Sequence, residues 1–139
     1  MNIEEAVKAR IAALNTAAGD RIYREIIEEE PTLPAIAISR SGGAPSARES
    51  SGAGLIHSAR ITVGIVGWTQ AAVMPVAQQL APSPAARAAG APIGLDGWRT
   101  EQGDPVILSC LLRSQLEQPE IDGDHTLRVV LQDYEIKFR

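Results

Sequence analysis

The chain has 139 residues and a formal net charge of −4, and this length predicts one domain with a single modest core. The negative charge argues against a protein that coats DNA or RNA, because such binding depends on lysine and arginine side chains that neutralise phosphates. Two Trp, two Tyr and one Phe are the only aromatic residues, so we expect a thin aliphatic core and some apolar surface buried between copies.

The first predicted element is an amphipathic helix over residues 3–17. Asn2 is a candidate N-cap residue, and Glu5, three residues later, has the spacing of a carboxylate that bonds back to the N-cap. Gly19 favours the end of the helix. The apolar positions recur every three or four residues at Ile3, Val7, Ile11 and Leu14. The acidic start has no long apolar run behind it, so we expect no signal peptide, no membrane span and a cytoplasmic origin.

Three extended segments follow, at 21–23, 35–40 and 57–68. The third alternates, with Ala59, Ile61, Val63 and Ile65 on one face, as in a half-buried strand.

The segment at about 41–57 is rich in Gly and Ser and has no apolar period. It lacks both Gly-Lys-Ser/Thr and Gly-x-Gly-x-x-Gly, which argues against a phosphate-binding loop. We therefore predict a flexible loop that becomes ordered on a partner.

A second helix is predicted after Trp68, because Val73, Val76, Ala77 and Leu80 fall on one helical face. Pro75 is expected in its first turn, and Pro82 should end it. Ser83 and Pro84 then form an N-cap followed by proline at the first helical position, which predicts a further short helix through Ala89.

The C-terminal part of the chain predicts a long β-hairpin. Extended runs at 106–117 and 126–138 flank Asp122-Gly123-Asp124, and an Asp-Gly pair favours a tight turn between strands. The second run places Val130, Tyr134, Ile136 and Phe138 on one face, whereas Leu127, Val129 and Leu131 lie on the other. That switch predicts a bulge, or a strand covered on both sides where it starts.

The order of elements predicts the α+β class over a single domain, residues 1–139. We expect a mainly antiparallel sheet of four to five strands, with the N-terminal helix and the second helix packed on one face, and the long C-terminal hairpin at the end of the chain.

The residues predict no catalytic, metal or cofactor site. Cys110 lies in an apolar strand and is expected to be an inert core thiol. No zinc-protease or nucleophile-elbow motif occurs around His57 or His125. The stretch from Asp122 to His125 is interpreted as a tight turn and not as a metal site, because it lacks the ligand spacing of a calcium loop.

The succession of segments resembles the tail terminator, or tail completion, proteins of long-tailed bacteriophages and gene transfer agents. The resemblance spans nearly the whole chain and depends on segment order and a few short matches. The matches are Arg21-Ile22-Tyr23, Leu33-Pro34, Ala59-Arg60-Ile61, the strand end at Trp68 and Asp133-Tyr134-Glu135-Ile136.

The resemblance implies a non-enzymatic structural virion protein, assembled in the bacterial host cytoplasm. It implies a ring, commonly of six copies, at the head-proximal end of the tail tube, which terminates tube polymerisation and allows head-tail joining. The implied partners are other copies, the tail tube protein and the head-tail connector protein, and DNA would pass through the lumen without specific binding.

Within this hypothesis, the loop at 41–57 and its surroundings are predicted to contact the tube or a neighbouring subunit, through Arg40, Arg48, Glu49, His57 and Arg60. Two alternatives stay open. One is a head-tail connector subunit on the portal side. The other is a small-ligand-binding regulatory α+β domain that uses Trp68 and Trp98.

Overall fold

A computed structural model describes residues 2–24, 32–48, 55–122 and 125–139. Its elements are α1 (Ile3–Ala13), β1 (Ile22–Arg24), β2 (Ala35–Arg48), β3 (Leu55–Gly67), α2 (Gln70–Leu80), α3 (Pro84–Ala88), β4 (Ile107–Asp122) and β5 (His125–Phe138). The predicted α+β class is confirmed, including the C-terminal hairpin formed by β4 and β5.

The described strands form one five-stranded sheet in the order β1-β2-β3-β5-β4. The short strand β1 runs parallel to β2, and every other neighbouring pair is antiparallel. Strand β3 pairs with β5 from His57, opposite Phe138, to Gly67, opposite Arg128. The β2-β3 hairpin therefore turns beyond one end of the sheet, and the β4-β5 hairpin turns beyond the other.

Helix α1 forms where the sequence predicts it, although it ends at Ala13 rather than at residue 17. The Asn2 side chain accepts the backbone N–H of Glu5 at 2.8 Å, and the Glu5 carboxylate accepts the N–H of Asn2 at 3.1 Å. This reciprocal pair satisfies two helix-end donors. Asn15 has a φ of +52°, a left-handed conformation that continues no α-helix.

Helix α2 begins earlier than the sequence pattern suggests, and the prediction that Pro75 lies in its first turn is wrong. The Thr69 side chain accepts the N–H of Ala72 at 3.2 Å and caps the helix there, which leaves Pro75 inside it. Ser83 caps α3 in the same way, by accepting the N–H of Ala86 at 3.1 Å, and Pro84 is its first residue. That second prediction is confirmed.

The predicted loop at 41–57 is wrong wherever the structure describes this segment. Residues 41–48 belong to β2 and residues 55–57 to β3, with Arg48 opposite Leu55. Residues 49–54 lie outside the described part. A strand needs only main-chain pairing, and glycine and serine supply the same backbone hydrogen bonds as valine. The side-chain pattern of this segment therefore did not indicate a strand. Register shifts at Arg40/Gly42 and Pro45/Ala47 interrupt the pairing.

The core lies on one face of the sheet, called here the inner face, where α1 and α2 pack. Its side chains come from alternate strand positions, and all of them are buried. They include Ile36 and Ile38 of β2, Ala59, Ile61, Val63 and Ile65 of β3, Cys110 of β4, and Val130, Tyr134 and Ile136 of β5. The helices contribute Ile3, Val7, Ile11, Val73, Val76, Ala77 and Leu80.

Candidate interaction surfaces

The opposite, or outer, face of the sheet carries an apolar row that crosses all five described strands. Paired positions place five residues in this row: Tyr23, Ala37, Gly64, Leu131 and Leu116. A Cβ atom at Gly64 would lie 3.4 Å from Cδ2 of Leu131, so the leucine covers the glycine directly. The row continues the apolar character of the sheet onto the side that neither α1 nor α2 covers.

The remainder of the outer face is polar toward the end where β5 finishes. Arg60 forms an ion pair with Asp133 across β3 and β5, at 2.9 Å. Arg113 forms a second ion pair with Glu135 across β4 and β5, also at 2.9 Å. Both arginine side chains are about half exposed, at 52% and 46%, so each pair stabilises the fold little.

The distal half of the β4-β5 hairpin is defined as residues 114–122 and 125–131, and its last part, residues 120–122 and 125–127, extends beyond strand β3. Residues 113–121 of β4 are all exposed, and positions 125–127 of β5 pair only with β4. Two large apolar side chains project here, Leu116 at 56% exposed and Ile121 at 79%. Leu116 lies opposite Leu131 on the outer face, whereas Ile121 lies opposite Thr126, so the two side chains are on opposite faces of the hairpin.

The helices carry a second apolar feature, a groove of about 400 Å³ between the ends of α1, α2 and α3. We call it the helical groove. Its lining carries no charged side chain and is formed by Leu14, Pro75, Gln78, Gln79, Pro82, Ala86, Ala91 and Pro92. A further shallow cleft of about 170 Å³ lies between α2 and the hairpin, where Gln70 donates to Glu117 at 3.3 Å.

The segment after α3 is fastened to α1 and α2 beside the helical groove. Arg10 of α1 donates to the carbonyl oxygens of Ile93 and Gly94 at 2.9 and 3.1 Å, and its guanidinium lies 5.9 Å from the centre of the Trp98 ring. The backbone N–H of Leu95 donates to the Leu80 carbonyl at 2.7 Å. These contacts fix the chain against the C-terminal end of α2.

Of the five residues predicted as an interface, the structure describes the side chains of three, Arg40, His57 and Arg60. Arg40 is exposed on β2. His57 of β3 stacks on Phe138, with ring centres 5.4 Å apart. Arg60 lies on the outer face in its ion pair with Asp133. Arg48 is the last residue of β2, and Glu49 lies outside the described part of the chain.

The groups that could suggest a nucleophile are buried in the core. Desolvation raises the pKa of the Cys110 thiol to about 12, and the nearby Asp96 carboxylate adds to the rise. Burial likewise raises the pKa of the Tyr134 hydroxyl, and that hydroxyl donates to Oε1 of Gln132 at 2.7 Å. Neither group ionises near neutral pH in the folded chain, so neither is a ready nucleophile.

The two tryptophans occupy different environments. Trp98 is 8% exposed and belongs to the core cluster, whereas Trp68, directly after β3, is 54% exposed. Trp98 contributes to packing, which weakens the interpretation that both rings hold a small ligand.

Within residues 2–24, 32–48, 55–122 and 125–139, no group of three or more His, Cys, Asp or Glu side chains is arranged to hold a metal ion. In these same ranges no helix has the length and apolar character needed to cross a bilayer.

Sequence reasoning missed Leu116 and Ile121 as surface residues, and it also missed the helical groove. A signal for the outer face was present in the apolar positions Leu127, Val129 and Leu131, which face away from the core. The predicted bulge in β5 is wrong, because β5 pairs with β3 without interruption from Arg128 to Phe138. The register shifts lie in β4, at Ile107/Ser109 and Leu112/Ser114.

No protein-family model matches this chain, and no curated protein sequence matches it. Among solved structures, it is similar to a chain described as the virion of a native gene transfer agent (GTA) particle. The similarity covers 99% of this chain and 95% of that chain, with a TM-score of 0.55 and 12% sequence identity. At that identity the similarity shows a shared fold.

Proposed function

We propose that this chain is a non-enzymatic structural virion protein of a phage or gene transfer particle. In this proposal, copies of the chain form a ring at the head-proximal end of the tail tube, terminate tube polymerisation and allow head-tail joining. The observation that carries the proposal is the fold shared with a chain of a gene transfer agent virion along nearly the full length of both. The segment order that resembles tail terminator proteins supports it independently.

The exposed surfaces are consistent with a protein completed by neighbours. The projecting hairpin exposes Leu116 and Ile121, and the outer face carries an apolar row that no described helix covers. A contiguous apolar row of this kind is a feature that other proteins often cover. A ring whose copies associate head to tail buries one surface of each copy against a different surface of the next.

The end of the sheet formed by the β2-β3 hairpin is proposed to contact the tail tube or the neighbouring subunit. Its proposed residues are, in chain order, Arg40, Arg48, Glu49, His57 and Arg60. Arg60 is half exposed and its guanidinium is paired with Asp133, so this end of the sheet offers a charged pair that a polar partner can contact. DNA would pass through the ring without specific binding, in keeping with the net charge of −4.

Tube assembly with purified components tests this function. The tail tube protein of the same particle is polymerised with and without this chain, and tube lengths and ends are measured by electron microscopy. We expect short tubes that carry a ring at one end. Tubes of unchanged length without a ring would contradict termination.

A charge reversal tests the proposed contact within the same assay. Arg60→Glu should abolish capture of the tube. Arg113→Glu is the matched control, because it disrupts a comparable half-exposed ion pair on the same face and should leave capture intact. Equal behaviour of the two variants would remove Arg60 from the interface.

The same shared fold also supports a head-tail connector subunit on the portal side, because the GTA neighbour belongs to a whole virion. The two functions differ in partner. Pull-downs with purified tube protein and purified portal protein distinguish them, since a terminator retains the tube protein and a connector retains the portal protein.

A further inference from the structure

Strand β4 lies at an edge of the described sheet, where it pairs with β5 along one side. An edge strand presents backbone N–H and carbonyl groups along its other side, and a further strand can pair with them. Such pairing lets a sheet grow from one molecule into the next. The surroundings of the outward backbone groups of β4 therefore determine whether this sheet can be extended.

The first half of the β4 edge is covered by the segment 96–100 of the same chain. The Gly97 N–H donates to the Cys110 carbonyl at 2.7 Å. The Asp96 carboxylate accepts the N–H of Leu112 at 3.0 Å. The outward carbonyl of Cys110 and the outward N–H of Leu112 thus already have partners, which leaves them unavailable to a further strand.

The register shows which backbone groups point outward in the second half of β4. In an antiparallel pair, successive residues alternate between pointing toward the partner strand and pointing away from it. Leu112 lies opposite Tyr134 and points away from β5. Gln115 lies opposite Gln132, two positions along β5, so it points away as well. The pairing continues to the tip without a further shift, and the outward positions are therefore Gln115, Glu117, Pro119 and Ile121.

Pro119 lies at one of these outward positions, opposite Arg128. Proline has no backbone N–H, so it costs the β4-β5 ladder nothing there and withholds a bond that a further strand would need. Glu117 and Glu120 add negative charge close to the proline on either side. Like charges on an edge oppose pairing with the same edge of a second copy.

We infer that the segment 96–100 and Pro119 together close the β4 edge, so that copies of this chain cannot associate by extending the sheet through β4. This device goes beyond the proposed function and applies to any assembly that the chain enters. In the proposed ring, neighbouring copies would join through other surfaces. The closed edge would keep such an assembly from growing as an open-ended sheet.

The first test restores the missing donor. Pro119→Thr supplies an outward N–H and a residue that favours strands. We expect it to self-associate at a concentration at least roughly tenfold below the one that the parent chain requires. Sedimentation velocity over a concentration series measures association, and urea unfolding verifies that the variant is folded. Gln118→Thr is the matched control, because Gln118 is exposed and its N–H points toward β5, so this variant should behave like the parent chain.

The second test moves the proline to another outward position. The double variant Glu117→Pro, Pro119→Thr has a donor at 119 and none at 117. Its edge is again interrupted, so it should associate like the parent chain and not like Pro119→Thr.

The third test checks the backbone directions through stability. Glu117→Pro should lower the urea midpoint only slightly, because the outward N–H that it removes has no part in the β4-β5 ladder and the bond of Glu117 with Gln70 is exposed. Gln118→Pro should lower the midpoint clearly, because it removes a ladder bond to β5.

Each test has an outcome that would overturn the inference. These outcomes are a Pro119→Thr variant that associates no more strongly than Gln118→Thr, a double variant that associates as strongly as Pro119→Thr, or equal losses of stability from Glu117→Pro and Gln118→Pro. They are separate from the tube assay. The expected results together with tubes of unchanged length would uphold the closed edge and contradict termination.

Discussion

The guanidinium of Arg87 donates to Oδ2 of Asp96 at 2.6 Å, and this pair ties α3 to the segment that leads into β4. The other carboxylate oxygen, Oδ1, accepts the backbone N–H of Leu112 at 3.0 Å. The N–H of Gly97 donates to the Cys110 carbonyl at 2.7 Å. One carboxylate thus joins the helical layer to the edge strand of the sheet.

Asp96→Ala should lower the free energy of unfolding by about 1 to 3 kcal/mol, because it leaves the Leu112 N–H without its acceptor. Asp96→Asn keeps an amide oxygen for that bond and loses only a partly exposed ion pair, so it should cost about 1 kcal/mol or less. Urea unfolding followed by circular dichroism measures both. Equal costs would mean that the ion pair, and not the backbone contact, matters.

Gly94→Ala should be among the most destabilising small substitutions in the described chain. A Cβ atom there would lie 2.1 Å from the Gln79 carbonyl oxygen and 2.5 Å from that of Leu80. These are backbone atoms that cannot move aside, so we expect a loss of about 3 kcal/mol or more. Thermal and urea unfolding of the variant measure it.

Gly90→Ala is the control for Gly94. Gly90 has a φ of +91° but nothing within 4 Å of an added Cβ, so only backbone strain opposes alanine, at about 1 to 2 kcal/mol. If Gly90→Ala proves the costlier change, steric exclusion at Gly94 is not the dominant effect.

Gln132 is a buried amide with every observed bond inside the fold. Its nitrogen donates to the Ala77 carbonyl and to Oε1 of Gln115 at 3.0 and 2.9 Å, and its oxygen accepts the Tyr134 hydroxyl. Gln132→Leu should cost about 2 to 4 kcal/mol, because it leaves buried partners unpaired, and Tyr134→Phe about 1 to 2 kcal/mol. Urea unfolding of each variant gives the values.

The double variant of Gln132 and Tyr134 tests whether the two act as a unit. Once Gln132 is leucine, the Tyr134 hydroxyl has already lost its acceptor, so its removal should cost little more. The double variant is therefore expected to be more stable than the sum of the single losses predicts. Additive losses would indicate that the Tyr134 hydroxyl bond contributes little.

The raised pKa of Cys110 predicts a loss of stability in alkali. Its pKa rises from an ordinary value of 9.0 to about 12 on folding, so above pH 9 the unfolded chain releases a proton that the folded chain keeps. The free energy of unfolding is therefore undiminished below pH 9 and falls as the pH rises toward 12. Tyr134, whose pKa is also raised from 10.0, adds to the fall at higher pH.

Cys110→Ala should flatten this decline in the interval that begins near pH 9, although the variant is less stable overall because a buried group is lost. Urea unfolding at several pH values gives the slope of the free energy of unfolding against pH for the parent chain and for the variant. Identical slopes in the parent chain and the variant would show that ionisation of Cys110 is not coupled to unfolding.

Where side chains carry the signal, the sequence predicts this fold well. The alternation from Ala59 to Ile65 becomes four fully buried positions of β3. Asn2 and Glu5 form the predicted capping pair, because these side chains bond to backbone within one turn and need no distant partner. The long C-terminal hairpin follows for a similar reason, since its strands are adjacent in sequence.

Where main-chain pairing or distant packing decides, the sequence predicts less. Residues 41–48 form a strand because β3 lies beside them, and their own composition does not reveal it. Gln132 shares a strand face with valine and tyrosine, and its bonds to the Ala77 carbonyl, Gln115 and Tyr134 explain its burial. The helical groove is built from the ends of three helices, so no single segment encodes it.

The opposed directions of the two hairpins have a mechanical consequence. A pull applied between the two turns would pass from β3 to β5 along their register, from the pair His57 and Phe138 to the pair Gly67 and Arg128. Because these antiparallel strands would slide lengthwise, their backbone hydrogen bonds share the force instead of opening one after another. The chain is thereby suited to bearing axial tension between whatever holds its two extremities.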